Sequence, residues 1–213
     1  MQTRSERTRS RLIEAGARQF GTYGYAGATL ERIAADAGLT KGALYFHFAS
    51  KEVLAEAVQQ EGGARLACFL RGRAQDGAPP VQILIDMTHW LARALREDPL
   101  VGAGLRIAHD RTDRNLPAAG PYGAWEHEVR RLLSWAGATG ALRAAGRAEG
   151  AATLLWTTVC GLAAVAGALP AAELDRRLTA TWDLLLTVLV PQDEGARYRT
   201  HAPVPPGTLA DAA

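Results

Sequence analysis

The sequence predicts an all-α fold, and three observations carry that expectation. Alanine, the strongest helix former, supplies roughly a fifth of the 213 residues. Apolar residues recur at three- and four-residue spacing along most of the chain. No stretch alternates apolar and polar residues over the length of a strand. With 48% hydrophobic and 22% charged residues the composition is that of an ordinary globular protein. The length suits one sizeable core, or a small domain joined to a larger one.

Nine helices follow from local signals. The first spans residues 4–23, with Leu12, Ala15, Gly16, Gln19 and Phe20 on one face and Gly21 and Gly24 closing it. Thr29 caps a second over 30–37, and Gly38 follows where positive φ is wanted. Thr40 caps a short third helix over 41–46. Ser50 caps a fourth, running to about Gly72. Gly and Pro make a loop over 76–80. A fifth helix covers 81–96 and ends at Asp98-Pro99. A sixth covers 100–109, and residues 111–121 form a turn-rich loop. The seventh spans 122–135, the eighth 147–168 and the ninth 171–190, the last two separated by Pro170. After Pro191 the periodicity ends, and a disordered tail is expected over 191–213.

The run from Thr29 to Phe48 has the layout of a helix-turn-helix. Ala34 is small where two helices cross, Gly38 makes the turn, Leu39 plugs the angle, and Ile33 and Leu44 pack beneath. Thr40, Lys41, Tyr45 and His47 then project outward, and Gly42 lets the backbone approach a phosphate. Phe46 and Phe48 are expected to be packing residues. Lys41 can donate to guanine O6 and N7, and a tyrosine or histidine can reach a phosphate oxygen. Arg4, Arg7, Arg9 and Arg11 either reach phosphates or are solvated.

The wider string Phe20-Gly-x-Tyr-Gly-Tyr, Thr29-Leu-x-x-Ile-Ala and Ala37-Gly-Leu-Thr-Lys-Gly-Ala-Leu-Tyr-Phe-His-Phe-x-Ser-Lys-Glu resembles the DNA-binding domain of TetR-family transcriptional regulators. The resemblance covers residues 7–55. It implies a homodimer that binds operator DNA and carries a C-terminal effector pocket. The family's phosphate contacts map to Thr29, Tyr45, His47 and Lys51, and its base readers to Thr40 and Lys41. The implied organisation is a DNA-binding domain over 1–50, a ligand-binding and dimerisation domain over 51–190, and the tail.

In the C-terminal part, five tryptophans stand out in a chain with only 7% aromatic residues. A Trp wall with a few hydroxyls suits a small, flat, mostly apolar ligand, although such residues also build ordinary cores. The candidate ligand-binding residues are Met87, Thr88, Trp90 and Leu91 on the fifth helix, Trp125 and Val129 on the seventh, and Thr158 and Leu162 on the eighth. Asp98-Pro-Leu-Val-x-Ala-x-Leu-Arg-Ile-Ala, Pro121-Tyr-x-x-Trp and Gly140-Ala-Leu-Arg resemble the γ-butyrolactone receptor branch of that family. That branch implies a repressor released by a butyrolactone, butenolide or furan signal, controlling antibiotic or secondary-metabolite genes, with Trp125 in the pocket. Ala145-Gly146 departs from the branch's usual acidic residues. A multidrug-type repressor with a broader pocket is the alternative. The last two helices, apolar all round, are expected to form the homodimer interface.

Other classes find little support. Asp86 and His89 sit at i, i+3, but no nucleophile can be placed beside them, so no catalytic residue is assigned. His127 between Glu126 and Glu128 reads as a solvated face, and no metal or cofactor is expected. Cys68 and Cys160 lie among apolar residues and read as buried thiols in a reducing cytoplasm. The apolar window 154–169 falls short of a membrane span and reads as a buried helix. The net charge of +2 hides an asymmetry. Residues 1–51 hold eight basic against four acidic residues, and residues 52–213 sixteen against eighteen. The positive excess sits in the reading head, where phosphates need it.

Overall fold

The computed structural model describes residues 4–111, 120–143 and 148–203. The 111–121 loop for the most part, Ala145-Gly146 and the end of the tail lie outside the described residues. Among the described residues there are nine α-helices: α1 Arg4–Gly27, α2 Leu30–Asp36, α3 Lys41–His47, α4 Lys51–Gln75, α5 Pro80–Glu97, α6 Pro99–Asp110, α7 Pro121–Ala138, α8 Ala148–Val165 and α9 Ala171–Leu189. The ends match the local signals. The Thr29 hydroxyl accepts from Arg32 N–H and the Thr40 hydroxyl from Ala43 N–H, each satisfying an orphan donor. Asp98 caps α6 through Leu100 N–H, with Pro99 in the first turn. The first helix runs further than expected, because Gly24 at φ 73° kinks it rather than ending it.

The chain divides into two compact units, Met1–Arg71 with Ala94–His127, and Gly72–Arg93 with Glu128–Ala213. Residues 51–71 of α4 and the whole of α6 fall in the first unit with the helix-turn-helix, so the boundaries differ from a simple cut at residue 50.

In the first unit, Leu12, Ile13, Phe20, Ile33, Leu44, Phe48, Leu54 and Ile107 form one core, with Leu39 packed against it. α6 crosses α4 closely at Gly62, where a Cβ would lie 2.8 Å from the Leu100 carbonyl oxygen. Polar ties fix α6 to the end of α1. Asp110 accepts from Tyr25 N–H at 2.7 Å, and Arg106 donates to the Gly21 carbonyl at 2.8 Å.

In the second unit, Leu84, Met87, Val129, Leu132, Leu155, Val159, Leu178, Trp182 and Leu186 are buried. Two expectations need correction here. Residues 191–203 are not a free tail: Gly195–Arg197 form a 3-10 turn, and Arg199 and Thr200 bond to α5. α8 is not a buried helix within the chain, since only 28% of its residues are buried. By length and composition alone it could cross a membrane. Leu154 and Val165 on α8 and Leu184 and Val188 on α9 are exposed. A third correction concerns the thiols: Cys68 is exposed, and Cys160 is half-buried with its thiol pKa raised by burial.

Candidate nucleic-acid interface and effector site

The reading head is built by local chemistry. Gly38 adopts φ 63°, and the N–H of Leu39 closes the turn on the Ala34 carbonyl. Arg11 donates to the Ala37 carbonyl at 2.5 Å, so one of the four N-terminal arginines clamps the turn from α1. Arg9 lies 5.3 Å from the ring centre of Phe48. Arg18 pairs with Asp36, neutralising the acid at the end of α2.

The predicted DNA-facing residues come together on α3 and its approaches. Thr40, Lys41, Gly42 and Tyr45 are exposed and His47 is half-buried. Thr29 is exposed at the start of α2. A Cβ on Gly42 would meet nothing nearer than Thr40 Oγ1 at 3.9 Å, which leaves its backbone open to approach. The Lys41 ammonium lies 5.8 Å from the Tyr45 ring centre and 2.5 Å from a carboxylate oxygen of Glu31. The pair shifts both groups. The hydrogen bond from Lys41 holds Glu31 below its ordinary pKa, and Glu31 holds Lys41 above its own.

Two residues depart from their expected roles. Phe46 is 81% exposed, with His47 edge-on at 5.2 Å, so of the two phenylalanines only Phe48 packs. Phe48 lies just past α3 in extended backbone and packs into the core, while Phe46 stays on the helix's exposed side. Lys51 faces inward: its ammonium donates to the carbonyls of Tyr25 at 2.8 Å and Ala28 at 3.2 Å, and sits 4.6 Å from the Tyr25 ring centre. It fastens the α1–α2 link, a role the sequence alone did not reveal. Glu31 was also missed, since a carboxylate in a basic head reads as helix-start decoration.

The candidate ligand-binding residues fall in both units. Trp125, in the first, is buried, and its indole N–H has no acceptor among the described residues. A buried donor left unpaired is unusual and calls for a partner. Met87, Thr88, Trp90, Leu91, Val129, Thr158 and Leu162 belong to the second unit. Met87, Leu91, Val129 and Leu162 are buried apolar residues. Thr88 and Thr158 have their hydroxyls engaged internally: Thr88 donates to Ile85 and accepts from Trp182, and Thr158 donates to Leu154. A groove of about 370 Å³ between α7 and α8 is lined by Arg130, Leu133, Ser134, Leu142 and Glu149, among others, and by none of these candidates.

Asp86 and His89 do not form a pair with each other. Asp86 is held by Arg73, Arg199 and Gln82, and His89 by the Thr200 carbonyl and Asp175.

Comparison with known proteins supplies the family. Residues 12–58 match the profile of bacterial regulatory proteins of the tetR family, and residues 79–191 that of the tetracyclin repressor-like C-terminal domain. The chain is 36% identical over 132 residues to the A-factor receptor protein of Streptomyces griseus, which covers 62% of this chain and 45% of that protein. It thus spans about half the length of the curated relatives it matches. A solved γ-butyrolactone receptor (ArpA-like protein) superposes with a TM-score of 0.76 at 30% identity, over 92% of this chain and 94% of that one. CprB from Streptomyces coelicolor, a TetR-family protein solved with its operator sequence, gives 0.74 at 31% identity, over the same shares of the two chains. These are regulators and receptors, not enzymes. The chain belongs to the TetR family of bacterial regulatory proteins.

Proposed function

We propose that this chain is a cytoplasmic, homodimeric transcriptional repressor that leaves its operator when a butyrolactone-, butenolide- or furan-type signal binds. The exposed, capped α3 with Lys41 and Tyr45 supports the DNA half of this reading. Recognition helices present their first residues to base edges, and Lys41 opens α3. The apolar faces of α8 and α9 around Leu154 and Leu184 are what a second copy would cover. Two-fold symmetry then sets the reading helices about 34–36 Å apart on a pseudo-palindrome. Antibiotic or other secondary-metabolite genes are the proposed targets.

The observation that carries the effector half is Trp125, a buried indole N–H without an acceptor among the described residues. A lactone or furan signal offers a flat ring and a carbonyl or ring oxygen, which suits both the ring face and the N–H of a tryptophan. Release follows if the signal binds a conformer whose reading heads are wrongly spaced. A nearly complete switch requires a differential affinity of about 5.5 kcal/mol.

The experiment is an intrinsic-fluorescence titration with butyrolactones, butenolides and furans, run beside a gel shift on duplexes selected from a random library. One signal class should quench the tryptophan emission and release the duplex. Trp125→Phe should keep duplex binding and weaken the response at least tenfold. A strong response to cationic dyes with none to the lactone classes would favour a multidrug sensor instead.

A further inference from the structure

Glu31 is the odd charge in the reading head. Of the two acids on α2, Asp36 is neutralised by Arg18, away from α3. Glu31 instead reaches Lys41, the residue that opens α3. Both side chains remain more than half exposed, at 59% and 53%. Exposed pairs of this kind are weak and exchange readily. An acid at this place has a cost for DNA binding, because phosphates repel it, and it occupies the cation best placed to read a base.

The major groove offers a carboxylate few partners. Guanine presents two acceptors and thymine presents an acceptor and a methyl group. Only the amino groups of cytosine and adenine donate, and a carboxylate pairs best with cytosine N4. A lysine finds its acceptors on guanine O6 and N7. A Lys–Glu pair in contact therefore presents a donor and an acceptor side by side. Guanine with a neighbouring cytosine amino group satisfies both; a phosphate satisfies the lysine alone and repels its partner.

Resting on the reading that α2 and α3 dock on operator DNA, we propose that Glu31 is a specificity-determining residue, accepting a hydrogen bond from a cytosine amino group beside the guanine read by Lys41. Its charge also suppresses binding to unrelated sequence. A carboxylate and an ammonium are both ionised at neutral pH, and their contact moves each pKa further from neutrality.

The test is selection from a randomised duplex library with the full-length chain, the Glu31→Ala variant and the Glu31→Gln variant. Anisotropy titrations on the wild-type consensus and on a scrambled duplex follow. Because Glu31 is exposed, unchanged circular dichroism is the folding control. Wild type should return a consensus containing a discriminating cytosine. Glu31→Ala should lose that preference, bind scrambled duplex several-fold more tightly, and show a salt slope steeper by about one unit as Lys41 is freed for phosphate. Glu31→Gln should move the preference toward adenine, glutamine's usual partner. A variant consensus identical to wild type at every position would overturn the proposal, whatever happens to non-specific binding. A wild-type chain that selects no consensus would instead overturn the DNA-binding reading beneath it.

Discussion

The indole N–H of Trp182 on α9 donates to the Thr88 hydroxyl on α5 across 2.7 Å, and that hydroxyl donates onward to the Ile85 carbonyl at 2.8 Å. Both side chains are buried. Thr88→Val keeps the shape and removes the acceptor, stranding a buried N–H. It should lower stability by about 1–3 kcal/mol, and Thr88→Ser by less. Urea melts at one fixed protein concentration would measure this, since the proposed dimerisation would make apparent stability concentration-dependent. An unchanged midpoint for the valine variant would mean that this bond contributes little to the fold.

Lys51 separates two roles that one residue type can play. If its ammonium mainly fastens the carbonyls of Tyr25 and Ala28, Lys51→Met should destabilise the free protein by about 1.5–3 kcal/mol, the range for bonds to a charged donor. If it mainly contacts phosphate, stability should hold and the salt slope should fall by about one unit. We expect the first outcome, with weaker DNA binding as its consequence, because the link it fastens sets the entry to α2. Thermal melts without DNA, paired with anisotropy at several salt concentrations, tell the two apart.

These contacts show where sequence reading reached and where it stopped. The helix ends were legible because their causes are local: a threonine cap, Asp98-Pro99, a glycine at positive φ. The helix-turn-helix was legible for the same reason. Partners of charged side chains were not, because Lys51 and Tyr25 are 26 residues apart, and Asp86 and Arg199 are 113 apart. Nothing near either residue announces the other. Residues 192–203 lack periodicity, and Arg199 and Thr200 within them are held by individual hydrogen bonds to α5, not by a repeating apolar face. α8 is apolar nearly all round, so its sequence does not say which side its own chain covers.

The Glu31–Lys41 pair makes a titration prediction. The Glu31 pKa is depressed below its ordinary 4.5, so the pair is fully formed above that value and is lost as pH falls through the depressed one. Between pH 6 and 8 the pair should therefore not change. A carboxyl resonance of Glu31 followed by NMR should titrate below 4.5 in the free protein. In Lys41→Ala it should move up toward the ordinary value. The same midpoint in both proteins would mean that the pair does not persist in solution.

Asp86 ties the C-terminal segment to α5. It is fully buried, and one carboxylate oxygen accepts from Arg199 at 2.7 Å and Gln82 at 2.9 Å, while the other faces Arg73 at 2.6 Å. Gln82 also pairs with the Arg199 backbone in both directions, at 2.9 and 3.0 Å. Asp86→Asn keeps the volume and leaves two guanidinium groups facing each other without their counter-charge. Breaking a buried pair costs about 3–5 kcal/mol, and the partial exposure of both arginines puts this case near the low end. The loss should be local as well as global. Trypsin should cut after Arg197 and Arg199 slowly in wild type, because the segment is held, and quickly in the asparagine variant. Truncation after Val190 removes Arg199 but leaves Arg73 opposite Asp86, so it should cost less stability than Asp86→Asn. If truncation proves the more damaging, the segment contributes chiefly by covering apolar surface, and the charge of Asp86 is secondary.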